Sequence, residues 1–474
     1  MGDLNMIACD STGPTSVQNF YKDSVVLITG GTGFIGKVLI EKLLRCFEVK
    51  KIYLLLRGKK NVKAQDRLKE ILREPIFHVT RNNNPTAASF FSKVVAIDTN
   101  FEQDEIISED DREVLLAEVT VVFNVMASVK FNEHIESALD TNVNCSQKLF
   151  DMVAKMSQVR SIIHVSTFYS NCDRSHIEEQ IFDDIPFGGY DNILQIFSHL
   201  KEHEKDQLTP FILGRMPNSY TFSKKCAEVM IQKRYSHLPI AIFRPPVVIS
   251  AYQEPIPGWV DNFNGVAGMC IPLTQGKLYC ARGEPGFLSH SVPVDYCVAA
   301  MLAVGAESRN QRSADRPTTL GVYNYATDAN NIRWGEYGRR AATGCETQLG
   351  RFFGRFALEV TTSRIRRQLF IWWFIFQAIV ADLLLMIAGK KQRNLRMVKR
   401  VLALEEAACF FALNQWTVQN DNMRRVLGEL TEEDRKLLEF DIDKLDWKDY
   451  FRHFVPGIKA ALARCALRRG KECG

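Results

Sequence analysis

Val25-Val26-Leu27-Ile28-Thr29-Gly30-Gly31-Thr32-Gly33-Phe34-Ile35-Gly36 joins four strand-forming apolar residues directly to a glycine turn. An amphipathic run from Lys37 to Phe47 follows without a break, and Lys51-Ile52-Tyr53-Leu54-Leu55-Leu56 reads as the next strand. This is a strand–turn–helix–strand unit. Gly30, Gly33 and Gly36 stand where a dinucleotide-binding turn needs them: the first for the tight turn, the second for close approach of backbone to a pyrophosphate, the third for close helix–strand packing. The phosphate then rests at the helix N-terminus, where unpaired N–H groups and the helix dipole favour an anion. A glycine triplet alone is weak evidence; the flanking strands and helix make it a nucleotide site.

Working outward, the second strand ends in Arg57-Gly58-Lys59-Lys60, about twenty residues past the last glycine, where an NAD-preferring fold carries Asp or Glu for the ribose 2′-hydroxyl. Basic residues there suit a 2′-phosphate, so the expected cofactor is NADPH. Further strands are expected at Val94–Ile97, Val119–Asn124 and Arg160–Val165, with helical segments at 64–73 and 135–156. Segments 75–92 and 183–218 read as loop, the second as a cover for the cleft. The alternation predicts an α/β fold, a Rossmann-type doubly wound parallel sheet with ligands outside the carboxyl ends of the strands. Asp98 and the pair Ser166-Thr167 fall at such ends.

Asn218-Ser219-Tyr220-Thr221-Phe222-Ser223-Lys224 reads as a helix start, with Tyr220 and Lys224 at i,i+4 on one face. A nearby ammonium favours the phenolate and lowers the tyrosine pKa. The pair can then pass a proton to a substrate oxygen while Lys224 holds the cofactor ribose. By itself Tyr-x-x-x-Lys is a common accident on helices. Together with the glycine turn and Ser166-Thr167 it is a catalytic constellation.

These residues resemble the extended short-chain dehydrogenases/reductases. Finer segments resemble the alcohol-forming fatty acyl-CoA reductases of insect type: His164-Val165-Ser166-Thr167-Phe168-Tyr169-Ser170-Asn171, Phe243-Arg244-Pro245-Pro246, Glu254-Pro255-Ile256-Pro257-Gly258-Trp259, Val292-Pro293-Val294-Asp295, Asn414-Gln415-Trp416 and Trp447-Lys448-Asp449-Tyr450. The likeness covers nearly the whole chain after residue 20. It implies NADPH-dependent reduction of a long-chain or very-long-chain acyl-CoA to a primary alcohol through an aldehyde-level intermediate, with release of CoA. Tyr220 would be the general acid, Lys224 its electrostatic partner, and Thr167 or Ser166 the carbonyl hydrogen-bond donor. Cofactor contacts are expected from Thr29, Gly30, Thr32, Gly33, Phe34, Ile35, Gly36, Arg57, Asp98, Met126 and Pro246, besides Tyr220 and Lys224. Departures from the family pattern fall at Ile97, at Asn124-Val125-Met126-Ala127 and at Asn142-Val143-Asn144-Cys145-Ser146. They keep open a catalytically weak paralogue, beside another extended reductase acting on a sterol or nucleotide-sugar.

Leu369 to Ala388 is the most apolar stretch, interrupted by Gln377 and Asp382 and flanked by Arg364, Arg366, Arg367, Lys390, Lys391 and Arg393. Its length suits a bilayer span; the alternatives are a buried helix or one lying in the interface. The expected organisation is a loose arm over 1–23, a nucleotide-binding domain over 24–335, a linker over 336–368, a membrane-associated segment over 369–400 and a small helical domain over 401–474. The resemblance implies an intracellular membrane, of endoplasmic reticulum or peroxisome, with a cytosol-facing site, and allows a homo-oligomer. A net charge of +5 over 474 residues gives no argument for nucleic acid. The twelve scattered cysteines form no C-x-x-C pair and read as reduced thiols. The nine histidines show no metal-ligand spacing.

Overall fold

Strand β1 (Val25–Thr29) is flanked on one side by β2 (Lys51–Arg57) and β3 (Val94–Thr99), and on the other by β4 (Val121–Asn124), β5 (Ser161–Val165), β6 (Ile240–Arg244) and β7 (Gly321–Asn324), giving the order β7-β6-β5-β4-β1-β2-β3. Every neighbouring pair is parallel. Strands covered on both faces read as continuous apolar runs rather than alternating ones, as β1 does. The chain reverses direction across the sheet between β1 and β4, and that switch point opens the crevice in which such folds hold ligands. The computed structural model describes residues 15–58, 62–82, 91–131, 133–261, 263–274, 279–307, 320–327, 329–343 and 358–471.

Several segments differ from the sequence expectation. The end of the supposed loose arm forms α1 (Ser16–Tyr21), capped by Thr15, with Val17, Phe20 and Tyr21 buried; the Tyr21 hydroxyl donates to the Leu302 carbonyl at 2.9 Å. Residues 1–14 lie outside the described residues. Helices α2 (Phe34–Cys46) and α3 (Ala64–Leu72) follow β1 and β2 as expected. The supposed loop over 75–92 contains a 3₁₀ turn, Pro75–Phe77, and a short helix, His78–Asn82, because Ile76 and Phe77 are drawn into the core. The supposed cover over 183–218 contains two helices, Tyr190–Ser198 and Glu202–Leu213. In the first, Tyr190, Ile193 and Phe197 are buried at helical spacing; the second carries Pro210 inside it, which reads as a breaker in the sequence. Helix α4 (Ser219–Tyr235), capped by the Asn218 side chain, carries Tyr220 and Lys224.

The C-terminal third is built on α5 (Arg364–Ile387), α6 (Asn394–Leu413) and α7 (Trp447–Lys471). Helix α5 is the one helix among the described residues long and apolar enough to cross a membrane. It folds back on α6, and Phe374 and Ala378 pack against Val398 and Val401. Asp382, read from sequence as a polar interruption, is buried and caps α6: its carboxylate accepts from the backbone N–H groups of Arg393, Asn394 and Leu395 and from the Asn394 amide. The stretch read as a separate helical domain shares the core of the sheet. Met423, Val426, Tyr450, Phe454 and Ile458 belong to the same buried cluster as Val26, Leu39 and Val298.

The third glycine of the turn is the tightest point of the nucleotide half. A Cβ on Gly36 would lie 2.3 Å from the Gly30 carbonyl oxygen and 2.8 Å from Gly31 Cα. An exposed helical Gly→Ala change stabilises by up to about 1 kcal/mol, whereas overpacking costs about 1–3 kcal/mol. Gly36→Ala is therefore expected to lower the thermal unfolding midpoint and to weaken dinucleotide binding at least ~10-fold, the sign opposite to helix propensity. Thermal melts with and without cofactor check it, and an unchanged or raised midpoint would refute the packing account.

Candidate active site

The glycine turn is held from the neighbouring strand. Gly30 has φ +71°, and a Cβ there would meet the Met126 nitrogen at 2.8 Å. Met126 N–H donates to Thr29 Oγ1 at 3.2 Å, and Thr29 Oγ1 donates to Asn124 Oδ1 at 2.7 Å. The expected cofactor residues Thr29, Gly30 and Met126 therefore form one backbone cradle. Gly33 caps α2, so Phe34, Ile35 and Gly36 supply the first-turn N–H groups that fit a pyrophosphate; Thr32 immediately precedes the cap. Phe34 stacks on Trp259 with ring centroids 5.3 Å apart, which brings the segment after β6 across the turn.

Arg57 is exposed at the end of β2, and Asp98 is exposed at the end of β3. One Asp98 oxygen accepts from the Ala64 N–H at 3.1 Å, at the first residue of α3. Lys59 and Lys60 lie outside the described residues. Pro246 is buried just past β6, and the neighbouring Pro245 carbonyl accepts from the Phe168 N–H at 2.9 Å, which ties this end of the sheet to the turn carrying Thr167.

Tyr220, Lys224 and Thr167 come together at the carboxyl end of β5. The Thr167 side chain is a neighbour of the Tyr220 hydroxyl. Burial pushes the phenol up to about 12, with Thr167 acting in the opposite direction. The sequence expectation was that Lys224 would lower it. Lys224 instead donates to the Val165 carbonyl at 2.7 Å, and burial brings its own pKa down to about 8, partly offset by Glu228. Desolvation disfavours the charged form of each group, so the pair stands as a neutral phenol beside a weakly held ammonium. In this form Tyr220 is a proton donor.

The structure separates Ser166 from Thr167. Ser166 donates to Glu228 Oε1, and Ser170 donates to the same oxygen at 2.9 Å. Glu228 is paired with the fully buried Arg244 through bonds of 3.0 and 2.6 Å. Ser166 is thus committed beneath the site, and Thr167 is the hydroxyl that meets Tyr220. Sequence reasoning missed this clamp. The spacing of Glu228 one turn beyond Lys224 was its available signal.

Asn142 lies in a π-helical turn, Asp140–Asn144, a local widening that recurs at functional sites. Its amide donates to Ser223 Oγ at 2.9 Å, and its oxygen accepts from the Ser128 N–H at 2.8 Å. It therefore fixes the helix carrying Tyr220 against the loop after β4. Phe131 from that loop lies 5.7 Å from the Tyr220 ring and 5.8 Å from Phe411 of α6; Tyr169 and Trp416 continue the aromatic wall. A separate open cleft of about 860 Å³ is lined by Cys172, Arg174, Phe182, Arg215, Phe410 and Trp416, among others. It touches the outer side of that wall, and none of Tyr220, Lys224 or Thr167 lines it.

Comparison with known proteins identifies the family. The profile of a family described as male sterility protein, an NAD-binding type, matches residues 28–301, and a second male sterility protein profile matches residues 373–465. A fatty acyl-CoA reductase of Drosophila melanogaster is 32% identical over 462 residues, covering 96% of this chain and 87% of that protein. Fatty acyl-CoA reductase 1 of Xenopus laevis is 33% identical over 452 residues (94% and 85%) and the human protein of that name 32% over 455 residues (94% and 85%). Among solved structures, the terminal reductase domain of the myxalamid synthetase pathway superposes with a TM-score of 0.58 at 18% identity, over 93% of this chain and 91% of that one. A nonribosomal peptide synthetase reductase domain from Mycobacterium tuberculosis gives 0.58 at 14% identity, over 95% and 94%. These two likenesses establish the fold, and the NAD-binding profile over residues 28–301 points to a nicotinamide dinucleotide as the cofactor. By its sequence over nearly its whole length, the chain belongs to the fatty acyl-CoA reductases, oxidoreductases of the short-chain dehydrogenase/reductase type.

Proposed function

We propose that this enzyme uses NADPH to reduce a long-chain or very-long-chain fatty acyl-CoA to the primary alcohol, working at an intracellular membrane such as endoplasmic reticulum or peroxisome. The observation that carries the reading is the neutral Tyr220 phenol, with Thr167 as its neighbour and Lys224 one turn away, near the dinucleotide cradle and an aromatic wall. The relatives are named for reduction of fatty acyl-CoA. The departures at Asn124 and Ser146 do not empty the site, since Asn124 Nδ2 donates to Ser146 Oγ at 3.2 Å.

Bound NADPH supplies the hydride to the carbonyl carbon, once in each of two rounds. In the first round Thr167 orients the thioester oxygen and Tyr220 gives it a proton, which leaves a thiohemiacetal. The Tyr220 phenolate then takes that proton back as the carbon–sulfur bond breaks; aldehyde forms, and coenzyme A leaves as a thiolate that water protonates. In the second round Tyr220 protonates the aldehyde oxygen to give the alcohol and regains its proton from solvent. Lys224 stabilises each transient phenolate and holds the ribose. No cysteine nucleophile is needed, because the thioester is already activated. Phe131, Phe411 and Tyr169 offer the start of the acyl chain an apolar wall.

Three measurements test this. Tyr220→Phe is expected to lose the ~10²–10⁴-fold typical of a general acid while dinucleotide affinity stays within about twofold; near-normal alcohol formation from acyl-CoA would reject the assignment. Because Lys224 loses its proton above about pH 8, kcat/KM of the wild type is expected to fall as pH rises through that value, with activity kept on the acid side. A profile flat to pH 10 would contradict a charged Lys224. Arg57→Ala is expected to cut the NADPH-over-NADH preference roughly tenfold or more, the worth of one hydrogen bond to a charged group. An unchanged ratio of kcat/KM values would remove Arg57 from the 2′-phosphate site.

A further inference from the structure

Helix α5 presents the largest apolar face left open among the described residues. Leu369, Trp372, Phe376, Ile379, Leu383 and Ile387 follow one another at three- and four-residue steps, and all are exposed, from 41% at Ile379 to 80% at Ile387. The opposite face, Ile371, Phe374, Ala378 and Asp382, is buried. A face of this kind is anomalous on a soluble protein and marks an interaction surface. At 1.5 Å per residue the helix is about 36 Å long, enough to span a hydrocarbon core.

The hairpin forbids that orientation. Asp382 pins the start of α6 through four hydrogen bonds. At the far end Arg367 holds the buried Glu405 of α6 through bonds of 2.6 and 3.1 Å. Helices α5 and α6 are thus fastened antiparallel at both ends. Carrying α5 across a bilayer would drag α6 with it, and α6 exposes Arg396, Lys399, Arg400 and Glu406, charges that are costly within hydrocarbon. Lying flat meets no such obstacle: the apolar stripe enters one leaflet, and a basic rim stays at headgroup level. Among the described residues, none of Lys390, Lys391, Arg393, Arg396, Lys399 and Arg400 forms an ion pair with the protein, although all are exposed. An in-plane helix with a wide apolar face, interfacial tryptophans and lysine- and arginine-rich flanks is the pattern of interfacial attachment to anionic lipid.

We propose that the α5–α6 hairpin is a monotopic anchor: α5 lies in the plane of one leaflet of an anionic phospholipid membrane, and the hairpin tip stays on the same side as the active site. This rests on the reading that the enzyme works at a membrane. It gives α6 a functional sense, because that helix runs from the tip at Asn394 to Phe410-Phe411, and Phe411 packs against Phe131, the ring beside Tyr220. An acyl chain drawn from the leaflet would have one helix length to travel.

The test uses the full chain with sealed phosphatidylcholine vesicles, with and without phosphatidylserine. Cosedimentation is expected with the phosphatidylserine vesicles and is expected to weaken with salt. Lys390→Ser and Lys391→Ser should each weaken it roughly fivefold. Phe376→Glu should release the protein from vesicles and leave turnover of a water-soluble short-chain acyl-CoA intact. Lys391→Cys, compared with the parent chain, should gain one site labelled by a membrane-impermeant maleimide in intact vesicles. Cosedimentation with that site protected until detergent is added would overturn the in-plane orientation and keep the membrane reading. Failure to cosediment with either vesicle would overturn both.

Discussion

The site depends on a row of polar side chains laid across the carboxyl edge of the sheet. Thr29, Asn124 and His164 are in register on β1, β4 and β5. Asn124 accepts from Thr29 at 2.7 Å and lies 3.0 Å from His164 Nδ1, all of it fully buried. A buried polar group without a partner costs about 1–3 kcal/mol, so the row has strong reason to stay closed. Its consequence is positional: Thr29 also takes the Met126 N–H, and so presses the backbone after β4 onto Gly30, where a side chain has no room. The same row holds His164 neutral, since burial and the nearby Lys224 both push its pKa well below the ordinary histidine value. His164 therefore belongs to the scaffold of the crevice rather than to proton transfer.

A second buried unit decides which hydroxyl reaches the substrate side. Arg244 is fully buried and gives its three remaining N–H groups to the carbonyls of Glu178 and Gln180 and to the Asn324 side-chain oxygen. With every donor occupied, it neutralises Glu228, and Glu228 in turn gathers Ser166 and Ser170. Breaking such a pair by removing one partner costs about 3–5 kcal/mol, which makes the arrangement stiff. Thr167 stays outside this unit, and its side chain caps the 3₁₀ turn Phe168–Asn171 by accepting from the Tyr169 N–H.

What was legible in the sequence was local. The glycine turn, the first five strands and the Tyr220–Lys224 face rest on patterns that span a few residues, and each appears where those patterns place it. Strands β6 and β7 escaped because Ile240–Arg244 runs straight into two prolines and Gly321–Asn324 begins and ends on turn-forming residues. The choice between Ser166 and Thr167 was not available either, because it is made by Glu228 and Arg244, 62 and 78 positions away from Ser166 along the chain. Asp382 was misread for the same reason: a hydropathy count sees a charge, while the fold sees a cap for a helix that begins twelve residues later. The apolar C-terminal helices looked like a unit of their own, since amphipathic periodicity does not say which core a buried face will join.

Glu228, Lys224 and Tyr220 are stepped along α4, with Arg244 paired to Glu228 from the neighbouring strand. Glu228 lies one turn from Lys224, and Lys224 one turn from Tyr220, so each is one helical step from the next. Glu228, itself paired with Arg244, raises the lysine only in part, and desolvation keeps that group at about 8. The result is a cation poised to be felt strongly by a phenolate formed beside it, in a setting where little water screens the interaction. Burial keeps the phenol itself neutral, as the proposed acid role requires. A tyrosine ionised at rest would bind no carbonyl and donate nothing. The burial that raises its pKa is therefore what suits it to act as an acid.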